Sequence, residues 1–355
     1  MDRNLITTPI FFFIFMHFFP FIIGSDQPLA PALYVFGDSL FDSGNNNILP
    51  TIAKANYSPY GFNFVTKGSG RFTNGKTVPD FIAEFLGLPY SPPYLSLRNS
   101  FSPTGLNYAS GSCGLLPETG VSLGKCLHFS EQIGLFKNTV NLLLRSHFKS
   151  AKELSNYLSK SIFVITIGSN DYINNYLGNK RSDPLSFAQL LVDTLSNQLK
   201  RLYDLGARKV VVFDLGPIGC IPSITRKQKH NGKCVENVNQ IISFFNKKLP
   251  GMLRHLKSSL KGSNFVLGHV NGLGYDAVIN PSKYGLMDSS NPCCKALFNG
   301  TSGCFPFSKP CTNPDQHYFW DGFHLTQTMY SIVASRCIND TSVCMPFNLK
   351  HLIQM

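Results

Sequence analysis

Short runs rich in β-branched and aromatic residues alternate along this chain with longer segments whose apolar residues recur every third or fourth position. That alternation restricts the fold more than any other feature. The short runs are Leu33–Phe36, Gly105–Ala109, Ile162–Ile167, Lys209–Asp214 and Phe265–Val270. Between them lie Thr77–Leu86, Glu131–Leu144, Pro184–Leu205 and Glu236–Leu256, and a last helix is expected after Thr326. Short β-rich runs read as strands, and a period near 3.6 reads as helix. Strands that alternate with helices are joined by right-handed crossovers, which lay the strands side by side in one direction. The expectation is an α/β fold, with a mostly parallel five-stranded sheet covered by helices on both faces. No repeat or linker divides the chain, so residues 25–355 are expected to form one domain.

The first residues stand apart from that pattern. An apolar run of 14 residues, Ile10–Ile23, is followed by Gly24-Ser25 and is interrupted by His17 and Pro20. It is too short to span about 30 Å of hydrocarbon, and reads as a signal peptide over residues 1–24. The mature chain is then expected to begin near Ser25 or Asp26 and to be secreted. All ten cysteines lie beyond that point. An even number in a secreted chain predicts disulfides. Short separations single out Cys113–Cys126, Cys220–Cys234 and Cys337–Cys344 as local staples. The other four, Cys293, Cys294, Cys304 and Cys311, fall in a loop-rich stretch from Asn280 to Asp315 that reads as a stapled surface excursion. They lack the paired spacing and neighbouring histidines of a zinc site, so no metal is expected. Sequons at Asn56, Asn299 and Asn339 mark expected glycosylation.

The formal net charge is +12, yet no run of five basic residues occurs, so nucleic acid is not an expected partner. The densest basic stretch is Arg226-Lys227-Gln228-Lys229-His230, in an expected loop. A basic extracellular protein meets acidic polysaccharide or membrane surfaces, or its charge serves solubility alone.

In a parallel sheet, ligands bind beyond the carboxyl ends of the strands. Three of the expected strands run directly into small or polar residues there: Gly37-Asp38-Ser39, Ser110-Gly111, and Gly168-Ser169-Asn170-Asp171. A fourth runs into Asp214-Leu215-Gly216-Pro217 and would shape the same rim. A serine hydroxyl attacks an ester only when a base takes its proton and a carboxylate orients that base. Asp321-Gly322-Phe323-His324 offers both groups within one turn. Taken alone, an Asp and a His three apart is an exposed turn, and Gly37-Asp38-Ser39 is a turn with a helix cap. Together they make Ser39 the candidate nucleophile, with Asp38 as a turn former. The side-chain amide of Asn170, with the N–H groups of Ser39 and of a residue near Gly111, would hold an oxyanion. Gly120-Val121-Ser122-Leu123-Gly124 also fits the nucleophile-elbow pattern literally. That elbow needs a strand before it and a helix after it, and Ser122 has neither.

These pieces resemble plant-type GDSL esterase/lipases, within the SGNH hydrolase superfamily. The resemblance rests on four ordered blocks: Phe36-Gly37-Asp38-Ser39-Leu40 continuing to Asn47, Asn107-Tyr108-Ala109-Ser110-Gly111, Gly168-Ser169-Asn170-Asp171-Tyr172, and Phe319-Trp320-Asp321-Gly322-Phe323-His324. Gly70–Lys76, Pro79–Ile82 and Leu215–Cys220 are similar too, so the likeness covers essentially the whole mature chain. It implies a flavodoxin-like three-layer fold and hydrolysis of carboxylic esters without a cofactor. It also implies a triad of Ser39, Asp321 and His324, with Gly111 and Asn170 as oxyanion donors beside the Ser39 N–H. Two positions depart from the family pattern. Gly111 is followed by Ser112 where a second glycine is usual, so the donor at that block is Gly111 or Ser112. Leu325 stands where proline is frequent, which bears on how the last helix starts. Acyl transfer to an alcohol, as in the building of cutin-like polyesters, would use the same triad. A silent cell-wall binding protein would not need an intact triad, and a purely structural disulfide-rich protein would not need the alternating strands.

Overall fold

A computed structural model describes residues 27–65, 68–97, 102–179 and 183–355. The expected signal peptide, residues 1–24, and the expected start of the mature chain at Ser25 or Asp26 lie outside the described residues.

In chain order the main elements begin with β1 (Leu33–Gly37), α1 (Val78–Leu86), α2 (Phe129–Asn138), α3 (Ala151–Lys160), β2 (Ile162–Thr166) and α4 (Pro184–Asp204). They continue with β3 (Lys209–Phe213), α5 (Glu236–Ser259), β4 (Asn264–Gly268), α6 (Val270–Ile279), β5 (Asp288–Pro292) and β6 (His317–Phe319). Last come α7 (Gln327–Asn339), β7 (Cys344–Met345) and α8 (Leu349–Gln354). The main sheet has the order β1-β2-β3-β4-β7, with the first four strands parallel and β7 antiparallel to β4. β1, β2 and β3 are buried along their whole length, which is why they read as unbroken apolar runs.

Alternate side chains serve opposite faces. Tyr34, Phe36, Phe163, Ile165, Val210 and Val212 pack with the apolar stripes of α2, α4 and α5. Leu33, Val35, Val164, Val211 and Val266 pack with α1, α7 and α8. The result is a three-layer α/β fold, as the strand–helix alternation required.

The fifth strand differs from the expected one. Gly105–Ala109 runs alongside β1, with Val35 N–H donating to Leu106 O at 3.0 Å and Tyr108 N–H to Val35 O at 2.8 Å. It keeps only single bridges, because Gly105 has a φ of 105° and Asn107 also pairs with the Pro92–Pro93 segment on its other side. The regular fifth strand is β7, two residues long. The chain still crosses outside β1 to reach Gly105–Ala109 and then returns to β2 on the other side. That reversal opens a crevice at the carboxyl end of β1, where such sheets take their ligands.

All three expected local disulfides form, joining Cys113 to Cys126, Cys220 to Cys234 and Cys337 to Cys344. Cys293–Cys311 and Cys294–Cys304 staple the excursion around the small β5–β6 sheet. The excursion has its own core, in which Cys293, Cys294 and Cys304 pack with Tyr60, Phe72 and Trp320. It thereby fastens the segment carrying Asp321 and His324 to the loops that follow β1.

Candidate active site

β1 ends at Gly37 because no other residue fits there. Its φ is 145°, and a Cβ would stand 2.2 Å from Thr166 O of β2. The chain then turns sharply, with Asp38 O accepting from the N–H groups of Phe41 and Asp42 at 3.2 and 3.0 Å. This turn lifts Ser39 to the rim, where its Oγ lies 2.7 Å from His324 Nε2.

The partner segment is a turn closed by its own aspartate. Asp321 Oδ1 accepts the N–H groups of Phe323 and His324, both at 2.8 Å. Its two oxygens lie 2.9 and 2.8 Å from His324 Nδ1. Three-residue spacing therefore places carboxylate and imidazole together, as that spacing allowed. Asp321 is fully buried. Burial alone would raise its carboxyl, but the charge and hydrogen bond of His324, the Tyr60 hydroxyl and the Phe323 N–H outweigh it and hold the group below the ordinary carboxylate range. Tyr60 donates to Asp321 Oδ2 at 2.6 Å. Phe72 packs against the His324 ring with centroids 5.1 Å apart. Its neighbour Arg71 clamps Asp80 at the start of α1 through two hydrogen bonds of 2.7 Å. Neither Tyr60 nor Phe72 carries a local signal that spacing reveals.

Asn170 follows β2 and lines the cavity above Ser39. One amide hydrogen goes to Cys113 O at 3.0 Å, leaving the second for a ligand. Gly111 is placed differently from the expectation. Its N–H donates to Asp42 Oδ2 at 3.1 Å, and Ser112 rather than Gly111 lines the cavity. Ser112 adopts a φ of 68°, a conformation that favours glycine. Among the described residues the N–H groups of Ser39 and Ser112 make no hydrogen bond. The Ser112 hydroxyl is buried and also unpartnered, close to Gly120.

Buried carboxylates support this rim from below. Asp42 accepts from Gly44 and Asn45 N–H, each at 2.7 Å, and Asp171 from Leu115 and Leu116 N–H at 2.9 and 3.0 Å. Burial raises both to about 6, against those hydrogen bonds. Asp38 has one unpartnered oxygen, and burial pushes it to about 7. A second acid–imidazole pair was not evident from spacing. Asp214 Oδ2 lies 2.6 Å from His269 Nδ1, while Oδ1 takes the N–H groups of Val270 and Asn271 and so closes the start of α6.

The cavity holds about 410 Å³ and is walled largely by apolar side chains, among them Ile173, Ile218, Ile221 and Met329. Lys54 also lines it, with its ammonium spent on the carbonyls of Asn46, Asn47 and Leu49 at 2.6, 3.0 and 2.6 Å. Ser122 lies apart in an exposed short turn, Val121–Leu123. Asn56, Asn299 and Asn339 are exposed. Cysteine and histidine converge at Cys113, Cys126 and His128 and again at Cys293, Cys311 and His317. Both sulfur pairs are locked in disulfides and offer no thiolate.

Serine hydroxyl, imidazole and carboxylate in line at the carboxyl ends of a parallel α/β sheet are the marks of a serine hydrolase acting on esters. The chain matches the GDSL-like lipase/acylhydrolase family over residues 33–337, and it belongs to that family. It is 48% identical to GDSL esterase/lipase 7 of Arabidopsis thaliana, over 87% of each chain. Two further Arabidopsis thaliana GDSL esterase/lipases are 41% and 40% identical, over 94% and 92% of this chain and 88% of their own. The protein is accordingly a carboxylic ester hydrolase, with plant relatives.

Proposed function

We propose that this protein is a secreted esterase that works through an acyl-enzyme on Ser39. The reading is carried by the unbroken hydrogen-bonded line from Ser39 through His324 to Asp321. His324 Nε2 takes the Ser39 proton as Oγ attacks the ester carbonyl, and Asp321 stabilises the imidazolium. The oxyanion is received by the N–H groups of Ser39 and Ser112 and by the free amide hydrogen of Asn170. In this role Ser112 replaces Gly111, whose N–H is already taken by Asp42. His324 then protonates the leaving alcohol, and water, deprotonated by the same imidazole, releases the acid. No cofactor enters any step.

The apolar wall and the internally committed Lys54 favour a neutral ester with an apolar acyl chain over an acidic one. Secretion is supported by residues 1–24 and by five disulfides, which belong to an oxidising compartment. Residues 25–355 are one catalytic domain in this reading, with glycans at Asn56, Asn299 and Asn339. Acyl transfer to an alcohol would use the same intermediate, and product analysis with a competing alcohol separates it from hydrolysis.

Ser39→Ala tests the assignment. It is expected to lower turnover of a short-chain aryl ester by about a thousandfold or more, while Ser122→Ala leaves it intact. Full activity in the Ser39 variant would contradict the proposal.

A further inference from the structure

Two of the most exposed large apolar side chains stand at the mouth of the Ser39 cavity. Ile52 is 77% exposed and Phe298 is 78% exposed, and both line that cavity from separate loops. The Ile52 loop is fixed by hydrogen bonds to Leu123 O, one from Ile52 N–H at 2.9 Å and one from the Thr51 hydroxyl at 2.8 Å. Val121 is exposed in the same neighbouring turn.

The Phe298 turn is built at a cost. Phe298 and Asn299 have φ values of 49° and 55°, a left-handed conformation that disfavours side-chain-bearing residues. Arg226 holds it in place, donating to Asn299 O at 2.7 Å and to Asn291 Oδ1 at 2.8 Å. A Cβ at Gly300 would meet the Arg226 guanidinium at 2.2 Å, so the turn and the arginine fit only with glycine there. Strain of this kind persists only where the surrounding structure holds it, and here it presents an exposed ring at the cavity mouth.

Arg226 also begins the densest basic stretch of the chain, Arg226-Lys227-Gln228-Lys229-His230, which is exposed throughout. Among the described residues no salt bridge engages Arg226, Lys227 or Lys229. The Phe298 turn and the basic strip are therefore joined through the Arg226 guanidinium, and Phe298 shares the cavity mouth with Ile52.

We propose that this rim docks on an anionic lipid surface, with Ile52 and Phe298 entering the acyl boundary and the 226–230 strip resting on the headgroups. The proposal rests on the reading of the cavity as the ester site, which the docked rim would open directly onto the lipid. An acidic polysaccharide would satisfy the cations but leave the apolar tips in water, so a lipid surface fits both halves of the patch.

Vesicle flotation tests this on the full-length secreted protein carrying Ser39→Ala, with its N-glycans and again after their removal, so that turnover does not affect the result and a glycan at Asn299 beside Phe298 is accounted for. Phosphatidylcholine vesicles are compared with vesicles also containing phosphatidylglycerol. The protein is expected to float with the anionic vesicles and to be released by salt. The double variant Ile52→Ser/Phe298→Ser is expected to lose about tenfold or more of that partition. Lys227→Glu/Lys229→Glu should lose it as well, while short-chain aryl-ester turnover in the Ser39 form stays unchanged. Equal partition onto neutral and anionic vesicles, no partition, or full partition of the Ile52/Phe298 variant would overturn the proposal. Retention on polygalacturonate with no flotation would do the same and would name a polyanion as the occupant.

Discussion

Tyr60 donates to Asp321 Oδ2 at 2.6 Å and accepts from Cys304 N–H at 3.1 Å, so one phenol ties the Asp321 carboxylate to the stapled excursion. Tyr60→Phe leaves the nucleophile and base in place but removes a donor from a buried carboxylate. We expect kcat to fall about tenfold or more while KM for a short ester barely moves, since a hydrogen bond to a charged group contributes roughly 1.5–3 kcal/mol. Steady-state kinetics would check this, and a change confined to KM would contradict it. Ser112 gives a second residue-scale expectation. Its contribution to the site is a backbone N–H, and its φ of 68° strains a side-chain-bearing residue. Ser112→Gly keeps the N–H and relieves the strain, so turnover should persist while unfolding in urea becomes harder by about 1 kcal/mol. Loss of turnover would instead give the hydroxyl a role.

Among the elements, the Cys294–Cys304 staple sits in the core that Trp320, Tyr60 and Phe72 share. Replacing both cysteines with serine should cost about 2–4 kcal/mol of stability, measurable by thermal or urea unfolding. Activity should fall as well, since the same core holds the Asp321–His324 turn. The sequence predicted β1 through β4 because each is a compact apolar run between turn residues. Gly105–Ala109 has the same composition, but its regularity is lost to a glycine kink and to pairing with the Pro92–Pro93 segment, and neither shows in local pattern. β7 is two residues placed by a disulfide and by β4, too short to carry a period. The expected β4 run ended at Val270, whereas the strand closes at Gly268 because Asp214 caps a helix beginning at Val270. At the candidate site, Ser39, Asn170, Asp321 and His324 were legible only in combination, as polar turns after expected strands and as ordered blocks resembling the GDSL family, since each turn taken alone is ordinary. Tyr60, Phe72 and the Asp42 bond that occupies the Gly111 N–H depend on contacts between distant loops.

At the level of the whole molecule, several buried carboxyls give stability a distinctive response to pH. Burial raises Asp38 to about 7 and Asp42 and Asp171 to about 6, from an ordinary 3.8. The folded state holds these protons more tightly than the unfolded chain does. Their contribution is therefore complete below the ordinary value and is lost as pH rises through 6 to 7. Asp321 acts oppositely, contributing above the ordinary value and losing that contribution as acid protonates it. Asp38→Asn should flatten the decline in unfolding free energy between about pH 4 and about pH 7.5, by up to about 4 kcal/mol across that interval. An unchanged slope in urea titrations would show that burial does not raise the Asp38 carboxyl. The central claim concerns where the acyl group is held, and mapping the adduct of a fluorophosphonate probe tests it most directly. One adduct is predicted, on the peptide containing Ser39, absent from Ser39→Ala and retained in Ser122→Ala. An adduct on another serine, or an unlabelled Ser39 in protein that still turns over esters, would contradict it.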